Sequence, residues 1–146
     1  MTQEEKELLL KDLCARLNTN LVCSIYRTDD YGVGYRDEIL SGYCKGDIWY
    51  EFYFGDDCGI GIDNVSKIKP YLFPLSSMTE EQKNLFSLII CKLDDSDMWR
   101  NGDMIFIDNE TDLDYLLNFY NKNHIDFRGL IPMGLALDAT GLGIYE

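Results

Sequence analysis

Chemistry is first suggested at His124-Ile125-Asp126, where the chain's single histidine stands two residues from a carboxylate, with Arg128 the same distance further on. An aspartate that fixes an imidazole tautomer can prepare it as a general base. No nucleophile is identifiable to go with this pair, so the catalytic kit is incomplete. The better reading lets His124 close a helix, where a cation suits the dipole and the ring can bond a terminal carbonyl. Arg128 is then expected to pair with Asp126 or a helix end.

Two further segments resemble chemical motifs without matching them. Asp108, Glu110 and Asp112 repeat the first three ligand positions of a calcium-binding loop, but Leu113 occupies the glycine position and Phe119 the final glutamate position. A dipole-complementing helix start accounts for these acids better, and no metal site is expected. Gly55-Asp56-Asp57-Cys58-Gly59-Ile60-Gly61 is rich in glycine, yet it lacks the lysine, spacing and following helix of a phosphate cradle. It reads as a turn with a bulge. The five cysteines (Cys14, Cys23, Cys44, Cys58, Cys91) are scattered and form no C-x-x-C pair, which points to reduced thiols rather than zinc. No cofactor fingerprint is present.

The strongest compositional feature is charge: 26 acidic against 13 basic residues, a formal net charge of −13. Residues 94–114 hold eight carboxylates against Arg100 alone. Such a field repels phosphate backbones and favours basic partners. Direct nucleic-acid binding is disfavoured, because the aromatics suited to base stacking are surrounded by Asp47, Glu51, Asp56 and Asp57 instead of a basic groove.

The elements that position these residues read as follows. Thr2 and Glu5 form a capping box ahead of an apolar stripe at Leu9, Leu10, Leu13, Cys14 and Leu17, ended by Asn18-Thr19-Asn20. Residues 21–27 predict a strand and residues 28–34 a loop. Residues 38–44 and 48–54 predict a hairpin whose second arm is aromatic on both faces: Ile48, Tyr50, Phe52 and Phe54 on one, Trp49, Glu51 and Tyr53 on the other. Residues 60–62 fit a short returning strand. Pro70 and Pro74 bracket an extended connector. Ser77 with Glu80, or Thr79 with Gln82, starts a second helix through Leu85, Phe86, Leu88 and Ile89. Residues 103–107 fit a short edge strand. Asn109 or Thr111 caps a third helix bearing Leu113, Leu116, Leu117 and Tyr120, which stops at residues 121–123. Glycines and Pro132 then enforce a short helical turn and an irregular arm packed on the body.

The expected fold is α+β, a mainly antiparallel sheet of four to six strands packed with about three helices in a single domain spanning residues 1–146. Residues 1–11 carry three glutamates and no continuous apolar core, so no signal peptide is read there. No run reaches the ~20 apolar residues of a membrane span, and a cytoplasmic protein is expected.

Three segments resemble a known group. Glu5-Lys6-Glu7-Leu8-Leu9-Leu10-Lys11-Asp12-Leu13-Cys14-Ala15-Arg16-Leu17, then Ile68-Lys69-Pro70-Tyr71-Leu72-Phe73-Pro74-Leu75-Ser76-Ser77-Met78-Thr79-Glu80-Glu81, then His124-Ile125-Asp126-Phe127-Arg128-Gly129-Leu130-Ile131 resemble uncharacterised small proteins of gut Bacteroidales and their phages and mobile elements. The segments keep the same order in that group and cover about a quarter of this chain. The resemblance implies a setting, a bacterial cytosol with a phage or mobile element. It implies no activity.

Function is therefore expected to be non-enzymatic binding of a basic protein surface, in a phage or mobile-element accessory or counter-defence role. Asp94, Asp95, Asp97, Asp108 and Asp112 would supply charge, with Trp99 and Tyr115 as anchors. The alternative is a small-ligand protein or small enzyme whose aromatic pocket is lined by Trp49, Tyr50 and Tyr53.

Overall fold

Thr2 opens the first helix, α1 (Gln3–Ala15), through a complete capping box: its hydroxyl accepts from the Glu5 amide, and the Glu5 carboxylate accepts from the Thr2 amide. The computed structural model describes residues 1–29, 32–45, 50–55, 58–84, 98–101, 104–107 and 110–146. Asn18 and Asn20 take left-handed backbone (φ 69° and 57°) after α1, a conformation that asparagine tolerates. The chain then turns into β1 (Val22–Asp29), β2 (Gly32–Lys45), β3 (Tyr50–Phe54) and β4 (Cys58–Gly61), each antiparallel to the one before.

β1 and β2 pair from Val22↔Ile39 through to Asp29↔Gly32. The loop expected over residues 28–34 is therefore mostly strand. Cross-strand hydrogen bonding overrides the weak local propensity of its glycines and aspartates. β2 slips register between Leu40 and Gly42, where Ser41 is the extra residue of a bulge and its hydroxyl donates to the Gly55 carbonyl at 3.0 Å.

A 3-10 stretch (Ile62–Lys67) leads to β5 (Ile68–Pro74), which lies antiparallel to β1 through Cys23↔Pro70 and Ile25↔Ile68. The expected connector is thus an internal strand. Ile68, Pro70 and Leu72 are buried in alternation, and that gain outweighs the missing proline donor. A second 3-10 turn (Leu75–Ser77) precedes α2, described over residues 80–84. Of the two caps expected for α2, Thr79 with Gln82 is the one formed: the Gln82 amide donates to the Thr79 hydroxyl and the Thr79 amide to the Gln82 side chain. Leu85, Phe86, Leu88 and Ile89 lie outside the described residues.

β6 (Met98–Asn101) and β7 (Met104–Ile107) form a separate antiparallel pair, so the acidic region holds two strands where one was expected. α3 (Glu110–Lys122) follows, then two short strands, β8 (Ile125–Asp126) and β9 (Leu137–Asp138), both parallel to β5. The main sheet runs β4-β3-β2-β1-β5-β8, with β9 also on β5. The fold is α+β with a mainly antiparallel sheet, as expected.

One face of the sheet is filled. Leu9 and Leu13 of α1 share a buried cluster with Cys23, Ile25, Leu40, Phe52, Phe54, Ile68 and Leu72, closed by Leu130, Leu135 and Ala136 of the C-terminal arm. Cys14, expected on the apolar stripe, is exposed. The buried positions beside Leu9 and Leu13 are instead Asp12 and Arg16.

Candidate functional site

Strand alternation sends every second residue of β1 and β2 away from that core. On β2 these are Val33 (68% exposed), Tyr35 (65%) and Ile39 (48%). Their partners in register on β1 are Thr28, Tyr26 and Val22. Tyr26 and Tyr35 meet edge to face, with ring centroids 5.1 Å apart. On β5 the same face carries Lys69, opposite Ser24, and Tyr71, whose hydroxyl donates to Asp37 at 3.1 Å. Burial raises the Tyr71 pKa, so the phenol stays a neutral donor. On β3 the face carries Tyr53, paired with Gly42 and donating to Glu51 at 3.2 Å. The result is a sheet face of tyrosines and β-branched residues, left uncovered by the described residues at Val33, Tyr35 and Ile39, with Asp37, Glu51 and Lys69 among them.

Both sets of site residues read from the sequence are only partly described. Tyr115 on α3 is exposed, and Asp112 lies one turn earlier on the same helix. Trp99 lies on β6, opposite Phe106. Asp94, Asp95, Asp97 and Asp108 lie outside the described residues. Of the aromatic set, Tyr50 pairs with Lys45 at the start of β3 and Tyr53 belongs to the uncovered face, while Trp49 lies outside the described residues.

The His124 region does not form the base-and-orienter pair that was the weaker of the two readings. The two carboxylate oxygens of Asp126 accept the Leu130 and Ile131 amides, each at 2.8 Å, so this side chain fixes the turn after β8 and does not orient the imidazole. His124 takes left-handed backbone (φ 55°) just past α3 and is only 8% exposed. Its ring stacks on Tyr145 at 4.0 Å with 10° between planes, and its Nδ1 has no hydrogen-bond partner among the described residues. Burial, reinforced by the Arg16 charge, lowers its pKa to about 4. The helix-closing position is therefore correct but the cationic role is not: desolvation outweighs the helix dipole and leaves a neutral ring.

Beside Lys122 of its last turn, the end of α3 is met by Arg16, which reaches its carbonyls from α1. Its Nη1 donates to the Tyr120 and Asn121 carbonyls at 3.3 Å each, its Nη2 to the Ile125 carbonyl at 2.8 Å, and its Nε to Asp12 at 2.8 Å. Asp12 also accepts from Arg128 at 2.6 Å, in place of the expected pairing with Asp126 or a helix end. Arg128 lies over Phe127, 4.1 Å from the ring centroid, and Phe127 stacks on Tyr120. Arg16, the one fully buried arginine among the described residues, thus serves as a clamp between α1, α3 and β8.

Beside His124 lies an open cleft of about 340 Å3. Phe73 and Tyr145 form its rings, and Asn20, Gln82, Lys122 and Asn123 supply polar groups. It sits on the β5 side of the sheet, away from Tyr53. The Tyr145 hydroxyl donates to the Tyr71 carbonyl at 2.6 Å and accepts from the Val22 amide at 3.3 Å, and burial raises its pKa. Among the described residues no group of three or more histidine, cysteine, aspartate or glutamate side chains could hold a metal ion, and no helix is long and apolar enough to cross a membrane.

Comparison of the chain with protein-family models, curated proteins and solved structures gave no match.

Proposed function

We propose that this is a non-enzymatic interaction protein that lays the uncovered face of its sheet against a basic surface of a protein partner. The observation that carries this reading is the row Val33, Tyr35 and Ile39, left exposed on the stretch of β2 that, among the described residues, pairs with β1 alone, with Tyr26, Tyr53 and Tyr71 around it. Tyrosine combines a large contact area with a hydrogen-bonding tip at little entropic cost, which makes it a common interface anchor. The net charge of −13 favours a basic partner over an acidic one and over a phosphate backbone. The carboxylates of residues 94–114 would speed encounter, while the tyrosine face would set how long the complex lasts. The resemblance of three segments to proteins of Bacteroidales phages and mobile elements supports a bacterial cytosol as the setting and an accessory or counter-defence role.

The test is affinity capture from a Bacteroidales lysate by the wild-type chain and by a Tyr35→Ser, Ile39→Ser variant, each at low and high salt. A basic protein retained by the wild type, lost by the variant, and retained less at high salt supports the reading. Equal retention by both chains removes the sheet face from the interface.

A further inference from the structure

Beyond that reading, we propose that the cleft between Phe73, Tyr145 and Lys122 is a binding site for a small organic carboxylate. Its described lining holds no acidic residue, although acids outnumber bases two to one in the chain. Lys122 supplies the cleft's positive charge, the Asn20 amide can donate hydrogen bonds, and Gln82 and Asn123, whose amides already donate to the Asn123 side chain and the Phe119 carbonyl, each keep one further N–H. The α3 C-terminus, whose carbonyls would repel an anion, is neutralised nearby because Arg16 takes the Tyr120 and Asn121 oxygens.

A second observation is independent of charge. His124 lines the cleft, is more than nine-tenths buried, and holds an Nδ1 that is closed to solvent and has no hydrogen-bond partner among the described residues. An orphaned buried polar atom is costly until something pairs with it. Because Nδ1 is closed to solvent, a ligand oxygen would pair with it only after the ring shifts, and such a shift would show at the His124 resonance. One ammonium with amide donors suits a planar monoanion, whereas a phosphate dianion would meet stronger repulsion from a chain of net charge −13. Phe73 and Tyr145 add apolar walls for the rest of the ligand.

The single histidine makes the test direct, since its Cε1–H resonance needs no assignment by mutation. The full chain is titrated at physiological salt with benzoate and, separately, with benzamide, which has the same shape and no charge. Benzoate is expected to move the His124 resonance saturably, with a dissociation constant of roughly 1 mM. Benzamide is expected to bind at least about fivefold more weakly, and Lys122→Gln to weaken benzoate by about fivefold, the scale of one exposed ion pair. Lys122 is exposed, so this variant should keep its unfolding midpoint. No saturable shift with benzoate, equal binding of benzamide, or unchanged affinity in the variant would each overturn the proposal. Tyr35→Ser should leave benzoate binding intact, which separates this site from the sheet face.

Discussion

Asp12 is the residue on which the buried charge depends, because it accepts from both Arg16 and Arg128 and is fully buried itself. Removing one partner of such a cluster leaves unpaired charge in a dry environment, a loss of about 3–5 kcal/mol. Asp12→Ala is therefore expected to lower the urea-unfolding free energy by that amount. A loss below about 1 kcal/mol would mean that water reaches the arginines. The sequence contained a signal for this cluster. Positions 9, 12, 13, 16 and 17 follow helical spacing, so Asp12 and Arg16 lie on the buried stripe, but their i,i+4 spacing also fits a solvated helix pair. The third member, Arg128, is 116 residues away and only the fold brings it in. His124 gives a second test at this scale. Its folded pKa of about 4 lies below the ordinary 6.5, so between these values the unfolded chain binds more protons than the folded one. Its contribution to stability is complete above about pH 6.5 and is lost as pH falls toward 4. His124→Asn, which tolerates the left-handed backbone, should lose less stability than wild type across that window; equal losses would mean that the ring titrates normally.

Elements were legible where local pattern and tertiary pairing agree. The α1 cap, the aromatic β3 with Phe52 and Phe54 on a shared face, and the stop of α3 near residue 122 follow from spacing alone, while packing decides that this face is the buried one. The misread segments are those where a partner strand decides the outcome. Gly32 and Gly34 have little strand preference of their own, yet register with β1 draws them into β2. Pro70 and Pro74 argued against a strand, although the alternating Ile68, Pro70 and Leu72 carried the right period. The two-residue strands β8 and β9 had no local signal, since they exist only by pairing with β5. Their arm is held by Tyr145, whose hydroxyl joins the Tyr71 carbonyl to the Val22 amide. Tyr145→Phe keeps the ring stacked on His124 and removes that bridge. It is expected to cost about 1–3 kcal/mol and to speed hydrogen exchange at the Val22 amide; unchanged exchange would show that the hydroxyl bond is not formed in solution.

For the whole molecule, the division of the sheet into a filled face and an uncovered one matters more than any single site. Half-buried antiparallel sheets are common, but their outer faces are ordinarily polar. Here Val33, Tyr35 and Ile39 occupy that face on an acidic chain. The sequence displayed the tyrosines and the charge without showing which side of β2 would stay uncovered, because that depends on where α1 and the C-terminal arm pack. Serine at Tyr35 and Ile39 should lower the unfolding free energy by no more than about 1–2 kcal/mol, the cost of the Tyr26 ring pair and of the half-buried Ile39, since neither side chain is in the core. The same change should weaken partner binding by about 30-fold or more if Tyr35 is an anchor. The most direct measurement is hydroxyl-radical footprinting of the chain alone and in its captured complex, followed at each tyrosine. Protection concentrated at Tyr35, Tyr26 and Tyr53, with Tyr115 unchanged or less protected, is the expected result. Unchanged labelling of Tyr35 with strong protection at Tyr115 would contradict it and place the contact on α3.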